Sequence, residues 1–529
     1  MKTLLKNGLI YDGKGNAPQK ADVLLENELI LKIGNIATEE ADTVMDMSGL
    51  CVTPGLIDAH SHNDFFYDYE DADVYYRPFL EQGITTQITG NCGFSPFGID
   101  PASPHRDKVG AGLFAAKQPG TFADFVKKAE GKLYVNMVPL IGHGTARIGV
   151  SGLASEALSD EDIKKMTDAV DEAMENGAFG GSFGFMYEPG MYSRENELVA
   201  FAAAVAKHDG IVTVHPRACS KVAMAYPLIT AKPHIEMALD EVISIMEKSG
   251  CRMEYSHLIF VGKSSWKSAD RMIGKFYKYR KAGYDIGYDM YSMTYGASVI
   301  TVICPDWYMA MDEETKKKPF SRFKLRLIIN ITRKLLGIDY KDITIAYIND
   351  DPKYKKYEGR NVADIAKEEK KDCLDLYLEL IDASKGAGKV YLDKYYNEEL
   401  IRKLMEDELS IFMTDAWVEP RGVQNGAAFQ CYPNFLLKAK QYGIPLEKVI
   451  HKMTGAVVKR YGITDRGVLE AGCKADITVF DPDGLKVYPD EPGRRADGIH
   501  YVFVNGKCVV GPDGFGGDRA GQLILKSKA

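Results

Sequence analysis

Apolar and polar residues alternate in short segments through residues 3–50: Thr3 to Ile10, Asp22 to Glu26 and Leu29 to Ile33, separated by turns containing Gly and Asn. A period of two marks a half-buried strand, so this stretch predicts a small antiparallel β unit. The pattern returns near the other end, in Val468-Leu469, Ala475 to Phe480 and Tyr501 to Val510, the last interrupted by the turn Asn505-Gly506. Both ends are therefore predicted to build one small β domain, from residues 1–54 and 456–529.

Between them, short apolar runs alternate with stretches of helical period. The predicted strands are Cys51 to Ala59, Thr85 to Thr89, Val135 to Ile141, Gly180 to Phe185, Ile211 to His215, Arg252 to His257, Asp285 to Tyr288 and Ser410 to Met413. Helical patterns include Asp160 to Asn176, Glu195 to His208 and Pro233 to Lys248. Eight such alternations favour an α/β chain with a (β/α)8 TIM-like barrel over residues 55–455, rather than a doubly wound sheet. In such barrels the chemistry sits at the carboxyl ends of the strands.

One segment, about 305–407, breaks the rhythm between the seventh and eighth strands and reads as an insertion. It holds Lys316-Lys317-Lys318 and the run Phe320 to Leu336, in which Phe323, Leu327, Ile331 and Leu335 share one helical face. A packed helix with solvated lysines is the plainest reading. An active-site lid is the leading functional one, ahead of an oligomer contact or a membrane-surface helix.

Composition narrows the class without naming it. The chain of 529 residues is 45% hydrophobic and 26% charged, which is globular and long enough for one large domain plus a smaller one. A formal net charge of -8 argues against nucleic-acid binding. No apolar run reaches membrane-spanning length, and the apolar start at Met1 breaks too soon for a signal peptide. Nine scattered cysteines suit reduced thiols and a cytoplasmic location.

The chemistry is concentrated at strand ends. In Pro54-Gly55-Leu56-Ile57-Asp58-Ala59-His60-Ser61-His62 the two imidazoles fall on one face, half of a metal site. Of ten histidines, His60, His62, His143, His215 and His257 stand at or just past predicted strand ends. Asp415 ends the eighth strand, where a buried carboxylate needs a cation or donor. Convergence of His, His and Asp at a barrel mouth is a metal-hydrolase arrangement. Cys92, in Gly90-Asn91-Cys92-Gly93, follows the second strand; flanking glycines permit a tight turn that presents the sulfur, a strong zinc ligand as thiolate.

These residues resemble the amidohydrolase superfamily and, within it, the D-aminoacylase (N-acyl-D-amino-acid deacylase) family. The wider resemblance rests on residues 54–62, on Arg466-Gly467 with Gly472-Cys473-Lys474-Ala475-Asp476-Ile477, and on Val504-Asn505-Gly506-Lys507. The narrower one rests on Gly-Asn-Cys-Gly-Phe-Ser (90–95), Ile141-Gly142-His143-Gly144-Thr145, Gly184-Phe185-Met186-Tyr187-Glu188-Pro189-Gly190 and Tyr357-Glu358-Gly359-Arg360-Asn361. The resemblance implies a metal-dependent barrel with a composite β-sandwich domain. It implies one tightly bound zinc on Cys92, His215 and His257, and a second, weaker position near His60, His62 and Asp415. Many binuclear members bridge their metals with a carboxylated lysine on strand three or four. Neither predicted strand here contains lysine, which leaves Cys92 as the natural bridging anion and Glu188 as its rival.

The implied reaction is hydrolysis of an N-acyl-D-amino acid or related N-acyl compound by hydroxide that the metal generates near neutral pH. Asp415 serves as general base and then acid, and His143 helps to stabilise the oxyanion. Arg217, Tyr187 and Tyr291 are candidates for a substrate carboxylate. Expected partners are a small-molecule substrate and no nucleic acid, with homo-oligomerisation left open. The chain also departs from the family pattern: Leu258-Ile259 follow His257 in place of His and Lys, Ser-Asp-Gly becomes Thr414-Asp415-Ala416, no acidic residue occurs in Pro216-Arg217-Ala218-Cys219, and Met293 replaces a tyrosine. Amide hydrolysis is thus better supported than any one substrate. The alternatives are a cyclic-amide hydrolase of the hydantoinase or dihydroorotase kind, and a metal-binding scaffold without catalysis.

Overall fold

The run Cys51 to Ala59, expected as one strand, divides at Gly55 and serves two sheets. Cys51–Pro54 pairs antiparallel with Ile477–Phe480 and parallel with Lys2–Ile10, while Leu56–Asp58 pairs with Ile84–Thr89. The handover occurs where Gly55 N donates to Asp476 O at 2.7 Å and Leu56 N donates to Gly83 O at 3.0 Å. A Cβ on Gly55 would lie 2.2 Å from the Thr85 hydroxyl oxygen, so only glycine fits the crossing. The computed structural model describes residues 1–109, 117–227, 229–309 and 311–527.

Strands from both ends of the chain form one nine-stranded sheet around its own apolar cluster, which includes Leu5, Val23, Leu25, Val52, Ile477, Val479 and Phe503. Alternate residues Leu4 and Leu24 pack on the other side with Ile36. Val468-Leu469, expected as a strand, is not one. Leu469 N donates to Asp12 O at 3.0 Å, and a single bond makes no ladder.

The second sheet has eight parallel strands in sequence order: Leu56–Asp58, Ile84–Thr89, Asn136–Gly142, Gly180–Gly184, Ile211–His215, Arg252–Tyr255, Ile286–Met290 and Ser410–Phe412. All but Arg252 are buried, as parallel strands covered on both faces must be. First and eighth strands meet where Ala59 N donates to Phe412 O at 3.3 Å and Asp415 N donates to His60 O at 3.1 Å. That contact closes the predicted α/β barrel.

The inserted region carries its own three-stranded antiparallel sheet, with Lys389–Leu392 between Gly296–Val299 and Ile343–Tyr347. The added structure therefore starts at Gly296, before the expected position near 305. The four residues of its first strand are too few for alternation to reveal. Helix Pro319–Leu336 turns Leu325 and Ile329 inward, whereas Phe323, Leu327, Ile331 and Leu335 face solvent. The face expected to pack is the exposed one.

Candidate metal centre

Six side chains from the ends of five barrel strands converge. His60 and His62 follow the first strand, Cys92 the second, His215 ends the fifth, His257 follows the sixth and Asp415 the eighth. The backbone bends sharply to aim three of them: Cys92, His257 and Asp415 have φ of 53°, 35° and 47°. Non-glycine residues rarely adopt this left-handed region, and such strain gathers at functional sites. The glycines beside Cys92 are needed for the same turn. A Cβ on Gly90 (φ +79°) would lie 1.9 Å from Leu140 O, and one on Gly93 (φ +80°) would lie 2.8 Å from Gly184 N.

The ligand atoms form two groups that share the sulfur, His60/His62/Cys92/Asp415 and Cys92/His215/His257, each within 4.8 Å of one another. Cys92 Sγ lies 3.3 Å from His60 Nε2, 3.6 Å from His215 Nδ1 and 3.9 Å from His257 Nε2. Asp415 Oδ1 lies 3.6 Å from Nε2 of both His60 and His62. Zn–S and Zn–N bonds in a tetrahedron place sulfur and nitrogen about 3.5 Å apart, so the donor set fits a metal of this kind.

The protonation pattern agrees. Burial lowers the pKa of His60, His62, His215 and His257, leaving the neutral imidazoles that metals require. Burial and the carboxylates of Asp415 and Asp289 push the Cys92 thiol well above its ordinary value, so a thiolate here needs a cation beside it. For Asp415, burial acts upward, but the hydrogen bond from His62 and the electrostatic coupling to the rings of His60, His257 and His62 hold the carboxyl below the usual range. Its side chain keeps 26% exposure, so the carboxylate is not sealed from solvent.

With this geometry in hand, relatives become informative. A family model described as "Amidohydrolase family" matches residues 437–510. A D-aminoacylase from Alcaligenes xylosoxydans xylosoxydans is 27% identical over 99% of this chain and 98% of its own length. The resemblance is to the D-aminoacylases, from end to end. A crystal structure of D-aminoacylase described as defining a novel subset of amidohydrolases superposes with a TM-score of 0.79 at 24% identity, covering 99% of both chains. An N-acyl-D-glutamate deacylase from Bordetella bronchiseptica, complexed with zinc and a phosphonate mimic of the tetrahedral intermediate, gives 0.79 at 23% identity over 99% of both chains. The resemblance expected from the motifs, the α/β barrel and the reading of the chain as an amidohydrolase enzyme are thereby borne out.

Several expected site residues lie elsewhere. Glu188 is exposed and accepts from Tyr192 OH, so it is no rival to Cys92 as a bridge. Arg217 gives Nε and Nη2 to the Glu241 carboxylate at 2.9 to 3.1 Å and Nη1 to Met191 O at 2.9 Å, which turns it from substrate anchor to structural clamp. His143, expected to steady an oxyanion, instead bonds Glu197 Oε1 at 2.9 Å, with its ring against Phe183 and Phe201. The same oxygen accepts from Arg147 Nε at 2.9 Å, and the side chains of both partners are fully buried. Burial would raise the Glu197 pKa, yet His143 and Arg147 outweigh it and the carboxyl titrates low. Its stabilisation is complete above the unfolded value of about 4.3 and is lost as pH falls toward the folded one. Glu197→Ala strands Arg147 in the core and is expected to cost about 3–5 kcal/mol in urea unfolding near neutral pH, an effect that shrinks in acid.

Of the phenols, Tyr187 OH lies 3.4 Å from His215 Nδ1, at the centre, and Tyr291 is buried with its ring 5.6 Å from that of Tyr396. Sequence reasoning passed over Asp58 and Asp289. Asp58 accepts from Thr414 N at 2.8 Å and Thr414 Oγ1 at 2.6 Å, tying the first strand to the residue before Asp415. Asp289 accepts from His257 N and stands 3.6 Å from His60 Nδ1, while burial pushes its carboxyl up to about 7. Asp58 lay inside the quoted Pro-Gly-Leu-Ile-Asp-Ala-His motif. Asp289, in the seventh strand, had no comparable signal.

Proposed function

We propose that this protein is a zinc-dependent hydrolase of N-acyl amino acids, of D configuration by resemblance. The observation that carries the reading is the sharing of Cys92 Sγ between two donor groups at metal-ligand spacing. Cys92, His215 and His257 would hold a tight zinc, and His60, His62 and Asp415 a second, weaker metal. Bound there, the metal would act as a Lewis acid, polarising the scissile carbonyl and making water acidic near neutral pH.

The chain's own groups do the rest. Asp415, ionised and not sealed from solvent, orients the attacking water, takes its proton at a carboxylate oxygen and returns it to the leaving amine. Tyr187 OH, 3.4 Å from His215 Nδ1, would donate to the developing oxyanion. Asp289 orients His60 and the turn at His257, as carboxylates behind metal-binding imidazoles do. All nine cysteines are unpaired, which supports a reducing, cytoplasmic setting.

The decisive assay measures metal content and screens purified protein against matched N-acetyl and N-formyl D- and L-amino acids together with hydantoins. Release of free D-amino acid by the zinc-loaded protein is the expected result. Turnover confined to hydantoins would replace this reading with cyclic-amide hydrolysis, and zinc without any turnover would favour a scaffold.

A further inference from the structure

The helix Pro319–Leu336 has an exposed apolar face and no acidic residue. Phe320 is 76% exposed, Phe323 66%, Leu327 51%, Ile331 45% and Leu335 44%, a continuous stripe along the helix. Stripes of this size on a folded surface mark interaction sites. Eight cations accompany it (Lys316, Lys317, Lys318, Arg322, Lys324, Arg326, Arg333 and Lys334), in a chain whose net charge is -8. The opposite face is anchored: Leu325 and Ile329 are buried, and Arg326 pairs with Asp372 at 2.7 Å and Asp375 at 3.0 Å; beside the stripe, Lys324 lies over the Trp307 ring at 4.2 Å. Among the described residues, Lys317, Lys318, Arg322 and Lys334 form no ion pair with a carboxylate.

We propose that this helix docks the enzyme reversibly on an anionic phospholipid surface. An exposed stripe of phenylalanine, leucine and isoleucine flanked by lysine and arginine is the composition of helices that lie in the membrane interface. The local excess of cations matches a negatively charged leaflet. Charge also argues against a second copy as occupant, because an antiparallel pair of such helices would crowd cations together with no anion to relieve them. No helix among the described residues is long and apolar enough to cross a membrane, so the contact is peripheral. The helix belongs to the catalytic end of the barrel: Ser264 N, in the loop after His257, donates to Leu336 O at 3.2 Å.

The test is co-sedimentation of the full chain with phosphatidylcholine vesicles, with and without phosphatidylglycerol. Binding to the anionic vesicles alone, weakening as salt rises, is expected. The pair Phe320→Ser and Phe323→Ser, and separately the trio Lys317→Glu, Lys318→Glu and Arg322→Glu, should each reduce that binding by about tenfold or more. Melting temperature and hydrolysis of a soluble substrate should stay unchanged in both, since these side chains support neither core nor centre. Equal sedimentation with neutral vesicles, no sedimentation, or unaltered binding by the variants would overturn the proposal. So would a dimer that the Phe320/Phe323 pair abolishes in the absence of any vesicle binding.

Discussion

Cys92→Ala is expected to remove the tight metal and the activity together. Its sulfur is the one atom common to both donor groups, so its loss leaves His215 and His257 with only two nitrogens between them and separates them from His60. Two neutral imidazoles bind zinc far more weakly than three ligands that include an anionic thiolate. Lewis-acid stabilisation of several kcal/mol disappears with the metal, which amounts to a fall in kcat/KM of about 10³-fold or more. Metal analysis after dialysis and steady-state kinetics check both halves. The side chain is buried among imidazoles and not in the apolar core, so folding should survive in the apo protein. Full zinc content in the variant would mean that the sulfur is not a ligand.

Asp415→Asn separates catalysis from tight binding. The substitution keeps shape and hydrogen-bonding reach but removes the negative charge that His60, His62 and His257 hold ionised. If the carboxylate is the base and then the acid, kcat should fall by about 10²–10⁴-fold. The metal on Cys92, His215 and His257 should remain, because Asp415 belongs to the other donor group. Kinetics and metal content on one preparation decide the matter. Activity within a few fold of the parent would remove Asp415 from the mechanism and return attention to Tyr187.

Near the site this chain carries the apolar Met293 and Leu258-Ile259, while the donor atoms are intact. Side chains facing the substrate can change by single substitutions. A metal donor cannot, since each sits at a strand end, and three of the six (Cys92, His257 and Asp415) depend on a bent backbone to aim them.

What the sequence by itself determined was periodic or local. Alternation located all eight barrel strands because buried parallel strands are short apolar runs, and the Gly-Asn-Cys-Gly turn was legible because its glycines answer a backbone demand within four residues. Histidines at strand ends were legible for a similar reason, since a barrel gathers its strand ends at one face. What only the tertiary structure decided depended on partners distant in the chain. His143 and Arg217 have the right chemistry and strand-end positions, yet Glu197 and Glu241 claim them, and no spacing rule announces a pairing over 54 or 24 residues. The division of Cys51 to Ala59 between two sheets follows from Ile477–Phe480 on one side and Ile84–Thr89 on the other. The helix at 319–336 is the sharpest case. Its period revealed an apolar face, but which side of an amphipathic helix meets the protein depends on what lies beneath it, and here Leu325 and Ile329 took the inner side.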